Sequence, residues 1–392
     1  MENKKILLSS ATTYEEEMKF IQEAFDRNWV APLGFNCDGF EEEMVKYLGQ
    51  DMHAFATISG TSALHLAMKL AGIKRGEKVF CSDLTFAATV NPVTYEGGVP
   101  VFIDSEVDSW NMDPKALEKA FDKYPDVRAV VLVHLYGTPA KMDEILEVCN
   151  KHNAILIEDA AEGLSSYYKG QACGTFGKYC VLSFNGNKII TTSGGGMLLT
   201  KDKASRDKAC FWSTQAREAA PWYEHEEIGY NYRMSNIVAG IGRGQLLHIE
   251  NHKKLKTNIY RKYEMELNDL PIKMNPYLNE SDPNFWLSCL TINPNALCTH
   301  SRTETEPSWN SEKGKTCPDE LAKLLKDENI ETRPIWKPMH MQPIYKNNDF
   351  ISLTNKPVSE DIFDRGICLP SDIKMTEEEQ DKVVSIIKKA FE

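Results

Sequence analysis

Lys188 lies in surroundings that favour covalent chemistry over solvent exposure. A largely apolar segment (181–184) precedes it, four β-branched residues (189–192) follow it, and three glycines end the stretch at 194–196. A lysine shielded from water loses its proton more readily, and its neutral amine can then form a Schiff base with an aldehyde. Two ordinary interpretations stay open here: a lysine whose ammonium reaches solvent from a loop, and a glycine run that only makes a tight turn.

The segment 58–67 has the composition of a phosphate-binding turn. Ser59, Gly60, Thr61 and Ser62 come immediately before an apolar helical pattern. Such a turn offers an anion free backbone N–H groups, hydroxyl groups and the positive end of a helix dipole. The same residues also suit an ordinary helix cap, so the local pattern does not decide between the two.

Acidic residues follow a second segment of buried character. The apolar run 154–157 ends in Glu158 and Asp159, and Glu162 lies three residues beyond Asp159. In open α/β sheets ligands bind at the carboxyl ends of the strands, so an acid there can hold a protonated ring nitrogen or a metal ion. Asp159 could equally cap the next helix.

Alternating strand and helix patterns predict the elements that position these residues. Over residues 53–200 β-rich runs alternate with helical spacing, which is typical of βα units around a mostly parallel sheet. The predicted strands are Lys78–Ser82, Val99–Asp104, Arg128–His134, Ala154–Glu158, Tyr179–Phe184 and Gly196–Thr200. The predicted helices are Ser62–Ala71, Phe86–Tyr95, Pro114–Phe121, Lys141–His152, a long connector Gln245–Leu267 and a capped final helix Thr376–Phe391.

The length of the chain indicates more than one domain. A sequence of 392 residues exceeds one ordinary hydrophobic core and favours two or three units. We expect a large α/β domain over residues 1–250 and a smaller domain over 251–392. A polar, turn-rich stretch at about 300–318 is expected to be an exposed insertion.

Charge and cysteine distribution argue against several functions. A formal net charge of -12 disfavours nucleic-acid binding, because phosphate backbones require clustered Lys and Arg. No long apolar run or signal peptide is readable, so we expect no membrane partner and a cytoplasmic protein. The ten cysteines show no zinc-type spacing and the acidic segment Tyr223–Glu227 fits no metal-binding pair, so no metal is predicted.

The turn, the acid and the lysine occur in the chain order of a known family. Along essentially its whole length the sequence resembles the DegT/DnrJ/EryC1/StrS aminotransferases, which use pyridoxal phosphate and act on sugar nucleotides. Segments 136–145, 185–197, 213–218 and 229–236 look most similar to the C4 aminotransferases of bacillosamine synthesis. The resemblance implies a fold-type I transferase, with a three-layer α/β/α large domain around a mostly parallel mixed sheet and a smaller α+β C-terminal domain.

The resemblance also implies individual roles at the cofactor. Lys188 would be the catalytic Schiff-base lysine and proton carrier, and Asp159 would pair with the pyridine N–H. The other implied cofactor residues are Gly60, Thr61 and Ser183 at the phosphate, Phe86 over the ring face, Glu162 near the ring hydroxyl, and Asn231 reaching the phosphate of a neighbouring subunit. A homodimer with shared active sites follows. Many relatives carry Gln or His in place of Glu162. Dehydratase-like relatives carry His in place of the lysine, so the presence of Lys188 favours transamination.

The implied substrates are a nucleotide-linked keto-sugar and glutamate. Family segments at the sugar-nucleotide pocket are matched by Pro32, Leu33, Asn187, Trp336 and His340. For the segment around Trp336, a proline-rich structural loop is an equally good interpretation.

The expected reaction converts UDP-4-keto-6-deoxy-N-acetylglucosamine to its 4-amino sugar. One alternative is a GDP-4-keto-6-deoxymannose aminotransferase of the GDP-perosamine synthase type. Another is a binding regulator without activity. An NAD-linked oxidoreductase is disfavoured, because no G-x-G-x-x-G lies between a first strand and its helix.

Overall fold

An eight-stranded mixed sheet forms the centre of the computed structural model, which describes residues 4–49, 51–303 and 306–392. The strands are β1 (His53–Thr57), β2 (Lys78–Ser82), β3 (Val99–Ile103), β4 (Ala129–Val133), β5 (Ile155–Asp159), β6 (Tyr167–Tyr168), β7 (Gln171–Ala172), β8 (Tyr179–Ser183), β9 (Gly196–Thr200), β10 (Ile272–Met274), β11 (Ser281–Asp282), β12 (Cys289–Ile292), β13 (His300–Arg302), β14 (Pro307–Trp309), β15 (Arg333–Pro334), β16 (Phe350–Ile351) and β17 (Gly366–Cys368). The central sheet has the order β1-β9-β8-β5-β4-β2-β3-β16. Every strand of this sheet except β9 runs in the same direction, so the sheet is mostly parallel.

Helices cover the sheet and connect its strands. They are α1 (Glu15–Asp26), α2 (Phe35–Leu48), α3 (Gly60–Leu70), α4 (Asn91–Tyr95), α5 (Pro114–Lys123), α6 (Met142–Lys151), α7 (Lys203–Ser213), α8 (Asn236–Leu246), α9 (Ile249–Glu266), α10 (Pro318–Asp327), α11 (Val358–Arg365) and α12 (Glu377–Lys389). Local sequence sets several of their starts: Asp113 accepts a hydrogen bond from the Lys115 N–H at α5, and Thr376 with Glu379 forms a capping box at α12. Within the described part of the chain, no helix combines the length and apolar character needed to cross a bilayer.

Side chains alternate between two apolar layers along the central strands. In β4, Val131 packs on the side of α3, whereas Val130 and Leu132 pack on the side of α5 and α6. Because consecutive strand residues point to opposite faces, a strand covered on both faces must be apolar throughout. All five residues of β4 are buried. Helices on both faces therefore give the expected three-layer α/β/α arrangement.

The strands predicted from the sequence are confirmed to within one residue at each end. The sequence does not predict β1 or β16. Strand β16 is two residues long and exists because Phe350 and Ile351 pair in parallel with Phe102 and Ile103 of β3. A strand this short carries no periodic signal, so only the long-range pairing defines it.

Two predicted helices are wrong in their continuity. The predicted helix Gln245–Leu267 is interrupted, since α8 ends at Leu246 and α9 begins at Ile249. Helix α8 packs on α1 and α2 whereas α9 packs on α12, and one straight helix does not serve both contacts. The predicted helix Phe86–Tyr95 is divided into a short 3-10 turn and α4, where Pro92 lacks the N–H that would continue a single helix.

The C-terminal part of the chain contains an antiparallel sheet in the order β10-β12-β17-β15. Helices α9, α10 and α12 pack against it around a separate apolar cluster. The stretch 300–318 is only partly the exposed insertion expected, because β13 and β14 form a hairpin and Thr316 and Cys317 are buried. Residues 304 and 305 of this stretch lie outside the described residues. The division of the chain at residue 250 stays a prediction.

Candidate active site

A cavity of about 320 Å³ opens at the carboxyl ends of the central strands. Asp159 and Ser183 are the last residues of β5 and β8, and Gly60 is the first residue of α3, so the topology brings all three to one edge of the sheet. Nine of the predicted site residues line the cavity: Gly60, Thr61, Phe86, Asp159, Glu162, Ser183, Asn187, Lys188 and Trp336. The lining also includes residues to which the sequence assigned no role, among them Thr85, Thr89, Asn185 and Trp286.

The start of α3 forms one end of the cavity. Ser59 caps the helix by accepting a hydrogen bond from the Ser62 N–H at 3.0 Å. A Cβ on Gly60 would lie 3.0 Å from the Cβ of Ser183, and a Cβ on Gly196 would lie 2.4 Å from the Gly60 nitrogen. Glycines at 60 and 196 therefore let the helix start approach the ends of β8 and β9. The free N–H groups and helix dipole at this position suit a phosphate.

Asp159 presents a buried carboxylate to the cavity. Its Oδ2 accepts a hydrogen bond from the Thr89 hydroxyl at 2.7 Å, and its Oδ1 accepts one from the Ala161 N–H at 3.0 Å. The Thr85 and Thr89 hydroxyl oxygens are 2.6 Å apart. Burial raises the pKa of Asp159, so its charged form calls for a cationic partner in the cavity. A protonated ring nitrogen meets this requirement.

We expect Thr89→Val to weaken cofactor binding. The hydroxyl of Thr89 stabilises the charged form of Asp159, and a hydrogen bond to a charged group contributes about 1.5–3 kcal/mol. Its loss should raise the dissociation constant of pyridoxal phosphate by about tenfold or more. Titration followed by protein fluorescence measures this constant. Thr89→Ser keeps the hydroxyl and should bind like the wild type; equal weakening in both variants would indicate a packing defect instead.

The Lys188 ammonium lies between an acid and an aromatic ring. Its Nζ is 3.4 Å from Oε1 of Glu162 and 4.0 Å from the centroid of a Trp286 ring. The other carboxylate oxygen of Glu162 accepts a hydrogen bond from the Tyr136 N–H at 2.7 Å. Burial raises the pKa of Glu162, and the neighbouring lysine stabilises its charged form. The side chains of Lys188 and Glu162 are 12% and 3% exposed, so both are shielded from water.

The backbone next to the lysine is anchored by distant parts of the chain. The Asn187 carbonyl accepts hydrogen bonds from Nε1 of Trp286 at 2.6 Å and from the Ser9 hydroxyl at 3.1 Å. The buried Lys256 Nζ lies 3.0 Å from the Trp286 carbonyl oxygen, 3.0 Å from Oγ of Ser9 and 2.6 Å from the Ser371 carbonyl oxygen. Burial lowers the pKa of Lys256 to about 7, and three oxygen acceptors offset part of that cost. Sequence reasoning missed Trp286 and Lys256, because neither belongs to a recognisable motif.

A second buried pair lies behind the cavity. Glu158 precedes Asp159 in β5, so its side chain points to the opposite face of the sheet, away from the cavity. Its Oε1 lies 2.7 Å from Nε2 of His134. Its other oxygen accepts N–H hydrogen bonds from Phe176 and Gly177. Burial acts to lower the pKa of His134. The neighbouring Cys173 and Glu158 side chains act in the opposite direction and raise it to about 10. Burial raises the pKa of Glu158, but the hydrogen bond and charge of His134, together with the N–H donors of Gly174 and Gly177, outweigh burial, and the net shift is downward.

This pair is expected to make stability depend on pH. Because folding raises the pKa of His134, this residue contributes to the free energy of unfolding. That contribution is fully present below the ordinary histidine pKa of 6.5 and is lost as the pH rises through about 10. Glu158 contributes above its ordinary value of 4.5 and loses that contribution on acidification. His134→Gln leaves a buried carboxylate unpaired, at a cost of about 3–5 kcal/mol. Urea unfolding at several pH values should show the gap between variant and wild type shrinking above pH 6.5. A constant gap contradicts the assignment.

Four predicted site residues lie outside the cavity lining: Pro32, Leu33, Asn231 and His340. Both ring nitrogens of His340 have partners, since Nδ1 is 2.8 Å from Asp83 and Nε2 is 3.1 Å from Glu360. Pro32, Leu33 and Asn231 are exposed at the surface of this subunit. The structure therefore does not bring these four residues to the cavity of their own chain, and their roles stay predictions.

A helix start suited to phosphate, a buried acid and a shielded lysine at one sheet edge define a pyridoxal-phosphate-dependent transferase. Comparison with known proteins agrees with this class. The family model of the DegT/DnrJ/EryC1/StrS aminotransferase family matches residues 11–388. The chain belongs to this family, and it is a sugar aminotransferase that uses pyridoxal phosphate. The expectation of an enzyme, as opposed to a binding regulator, is confirmed.

Individual relatives align over nearly the whole chain. EpsN of Bacillus subtilis (strain 168), named as a proposed pyridoxal phosphate-dependent aminotransferase, is 44% identical over 395 residues, which are 99% of this chain and 96% of EpsN. A GDP-perosamine synthase of Escherichia coli O157:H7 is 34% identical over 358 residues, 91% of this chain and 90% of that protein. The crystal structure of a DegT DnrJ EryC1 StrS aminotransferase from Brucella abortus superimposes with a TM-score of 0.84 at 26% identity, covering 96% of this chain and 95% of that one.

The cavity residues fit pyridoxal phosphate. The helix start at Gly60 and the nearby Ser183 hydroxyl would hold the phosphate, and Asp159 would hold the ring N–H. Phe86 is 53% exposed and its ring lies 5.2 Å from that of Trp336, so it is free to cover a ring face. Once bound, the cofactor supplies the electron sink that amino transfer requires.

Proposed function

We propose that the enzyme transfers an amino group from glutamate to the C4 keto carbon of a nucleotide-linked 4-keto-6-deoxy sugar. The observation that carries the proposal is the position of the Lys188 amine, 3.4 Å from Glu162 in the cavity that also contains Asp159. An amine shielded from water and held by a buried acid is well placed to accept and return a proton. Transamination requires both events within one cavity.

Each side chain then has a defined task. Lys188 would attach the cofactor through its amine between reactions and, when free, would carry the proton. Glu162 and the face of Trp286 hold the free ammonium close to its working position, because both contact Nζ. Asp159 would stabilise a protonated ring nitrogen of the bound cofactor, which supplies the electron sink. The same groups serve the amino donor and the sugar, since both use one cavity.

UDP-4-keto-6-deoxy-N-acetylglucosamine is the substrate we propose. The support is the resemblance of segments 185–197 and 229–236 to the C4 aminotransferases of bacillosamine synthesis. The aromatic ring of Trp336, which lines the cavity, offers an apolar face to a sugar. A second candidate, GDP-4-keto-6-deoxymannose, is favoured by the 34% identity to a GDP-perosamine synthase.

Parallel turnover assays test the substrate. The enzyme loaded with pyridoxal phosphate is incubated with glutamate and each of the two nucleotide-linked keto-sugars, and the product masses are compared. We expect the UDP sugar to gain the amine. An amine found only on the GDP sugar would establish the second candidate, and an amine on neither sugar would refute the proposed reaction.

We also propose a homodimer with shared active sites. Many large apolar side chains are exposed at the surface of this subunit, among them Trp29, Val30, Leu33, Ile58, Tyr95, Trp222, Tyr223 and Ile228. Apolar surface on this scale favours a protein partner, and a second copy of the chain is the simplest one. Asn231 is exposed and absent from the cavity of its own subunit, which supports its proposed contact with the phosphate in the partner.

Mixed dimers test the shared site. Lys188→Ala and Asn231→Ala should each reduce activity when expressed alone. In a mixed dimer, one site combines the intact Lys188 of one chain with the intact Asn231 of the other. Co-expression should therefore restore about a quarter of wild-type activity. No restoration in purified mixed dimers would exclude Asn231 from the partner's site.

The absence of disulfides among the cysteines bears on the cellular compartment in which the protein works. All ten are free thiols, and nine of them are buried. Unpaired thiols in such number suit a reducing compartment, so we propose the cytoplasm.

A further inference from the structure

Two cysteines and a histidine converge at the base of the β13–β14 hairpin. Leu297 and Thr316 form an isolated β-bridge between their backbones. The residues that follow them, Cys298 and Cys317, therefore lie side by side in the interior. The ligand atoms of Cys298, Cys317 and Glu320 all lie within 4.8 Å of one another. The same holds for His300, Cys317 and Asp319, so Cys317 is common to both groups.

The His300 ring is oriented like a metal ligand. Its side chain is 6% exposed, and its buried Nδ1 has no hydrogen-bond partner among the described residues. The other nitrogen, Nε2, lies 3.4 Å from a carboxylate oxygen of Asp364. A histidine that binds a metal through one nitrogen commonly donates the other N–H to a carboxylate, which fixes the ring. Without a ligand, an unpaired buried nitrogen is unfavourable.

The two nearby acids are held differently. Asp319 lies 3.9 Å from Nδ1 of His300, but its Oδ2 already accepts a hydrogen bond from Nε of Arg302 at 2.8 Å. Glu320 has no cationic partner among the described residues; its oxygens accept hydrogen bonds from the neutral hydroxyl groups of Ser311 and Thr316, which a metal displaces more readily than a guanidinium. Its Oε2 lies 3.8 Å from Sγ of Cys298. Glu320 is therefore the better fourth ligand.

We propose that Cys298, His300, Cys317 and Glu320 form a site for a tetrahedral divalent metal ion of the zinc type. Zn–S bonds of about 2.3 Å at a tetrahedral angle separate two thiolates by about 3.8 Å. The ligand atoms of Cys298, Cys317 and Glu320 lie within 4.8 Å of one another, and a ring nitrogen of His300 lies within the same distance of the Cys317 sulfur. The His300 ring must therefore turn toward the other two ligands to close the shell. Four protein ligands leave no open position, which makes the site structural.

The site has a mechanical purpose. Strands β13 and β14 are three residues each, and an isolated two-stranded hairpin is at best marginally stable in water. A metal bound to Cys298 and His300 on one side and to Cys317 and Glu320 on the other ties the hairpin to the start of α10. The spacing of the cysteines predicted no metal, because 18 residues, most of them polar, separate Cys298 from Cys317.

Metal analysis of the full-length, untagged enzyme tests the proposal. The protein is produced with zinc in the medium, loaded with pyridoxal phosphate, passed through gel filtration under reducing conditions and analysed by mass spectrometry. We expect about one zinc per chain in the wild type, and at least about tenfold less in Cys298→Ser, Cys317→Ser and His300→Ala. Cys210→Ser, which changes a half-buried thiol on α7, is the matched control and should keep its zinc. A chelator should lower the Tm of the wild type and of this control only.

Cobalt(II) titration of the wild type keeps the test independent of variant folding. Two thiolate ligands should give intense thiolate-to-cobalt absorption that zinc abolishes. The proposal is overturned if the wild type takes up neither ion, if the cysteine variants retain as much zinc as the control, or if intact-mass analysis without reductant finds Cys298 and Cys317 joined in a disulfide. None of these results bears on the aminotransferase reaction, which is measured separately.

Discussion

Lys188→Ala should abolish amino transfer, with a loss in kcat of about 10⁴-fold or more, because it removes both the covalent attachment and the proton carrier. The variant should still bind pyridoxal phosphate, since Asp159 and the start of α3 remain. Lys188→Arg should be equally inactive, because it keeps the positive charge but not an amine that can attack an aldehyde. Steady-state assays with glutamate and the keto-sugar, alongside equilibrium binding of the cofactor, separate the two effects.

Chemical trapping identifies the lysine directly. Borohydride reduction of the wild-type holoenzyme should fix the cofactor to the peptide that contains Lys188, and peptide mass spectrometry locates it. Lys178→Ala is the matched control, because Lys178 is exposed outside the cavity and its loss should leave turnover unchanged. A label on another lysine, or normal turnover in Lys188→Ala, would refute the central assignment.

Asp159→Asn should lower kcat by about 10²- to 10³-fold. Asparagine has nearly the same shape; its carbonyl oxygen can still accept the hydrogen bond from the Ala161 N–H, and its amide group can donate to the Thr89 hydroxyl oxygen. It lacks the negative charge that, on the proposed assignment, would keep the ring nitrogen of the cofactor protonated, so the bound cofactor would be a weaker electron sink. Both half-reactions should slow, and single-turnover measurements with glutamate and with the keto-sugar would record each separately.

A matched acid distinguishes this effect from a general loss of charge. Asp113 caps α5 through its side chain, and asparagine caps helices equally well. Asp113→Asn should therefore leave both stability and kcat close to the wild type. If Asp159→Asn lost no more activity than this control, the carboxylate would not face the ring nitrogen.

Much of the fold is predictable from local patterns. The six predicted strands are apolar at nearly every position because both faces of the sheet are covered, and this continuity is visible in the sequence. The capping box at Thr376 and the cap at Asp113 fix two helix starts from adjacent residues alone. Continuity between helices is harder to predict, and the interruption between Leu246 and Ile249 shows why. It reflects contacts of α8 and α9 with different helices distant in the chain.

The candidate site divides in the same way. Nine of thirteen predicted site residues line one cavity, because the ends of parallel strands and the helix that follows meet at a single edge. His340 illustrates the limit: a histidine in a proline-rich loop looks free in the sequence, yet Asp83 and Glu360 occupy both its nitrogens. Sequence spacing carries no information on such partners.

By itself the sequence predicted the six inner strands of the central sheet, the family and the cofactor, and it proposed Lys188 and Asp159 as the reactive lysine and its acid. These depend on periodic burial and on short motifs, which neighbouring residues encode. Only the tertiary structure decided that Trp286 and Lys256 hold the lysine segment, that Thr89 donates a hydrogen bond to Asp159, and that Cys317 lies close to both Cys298 and His300. The physical reason is that a side-chain contact between distant segments exists only after their backbones have packed.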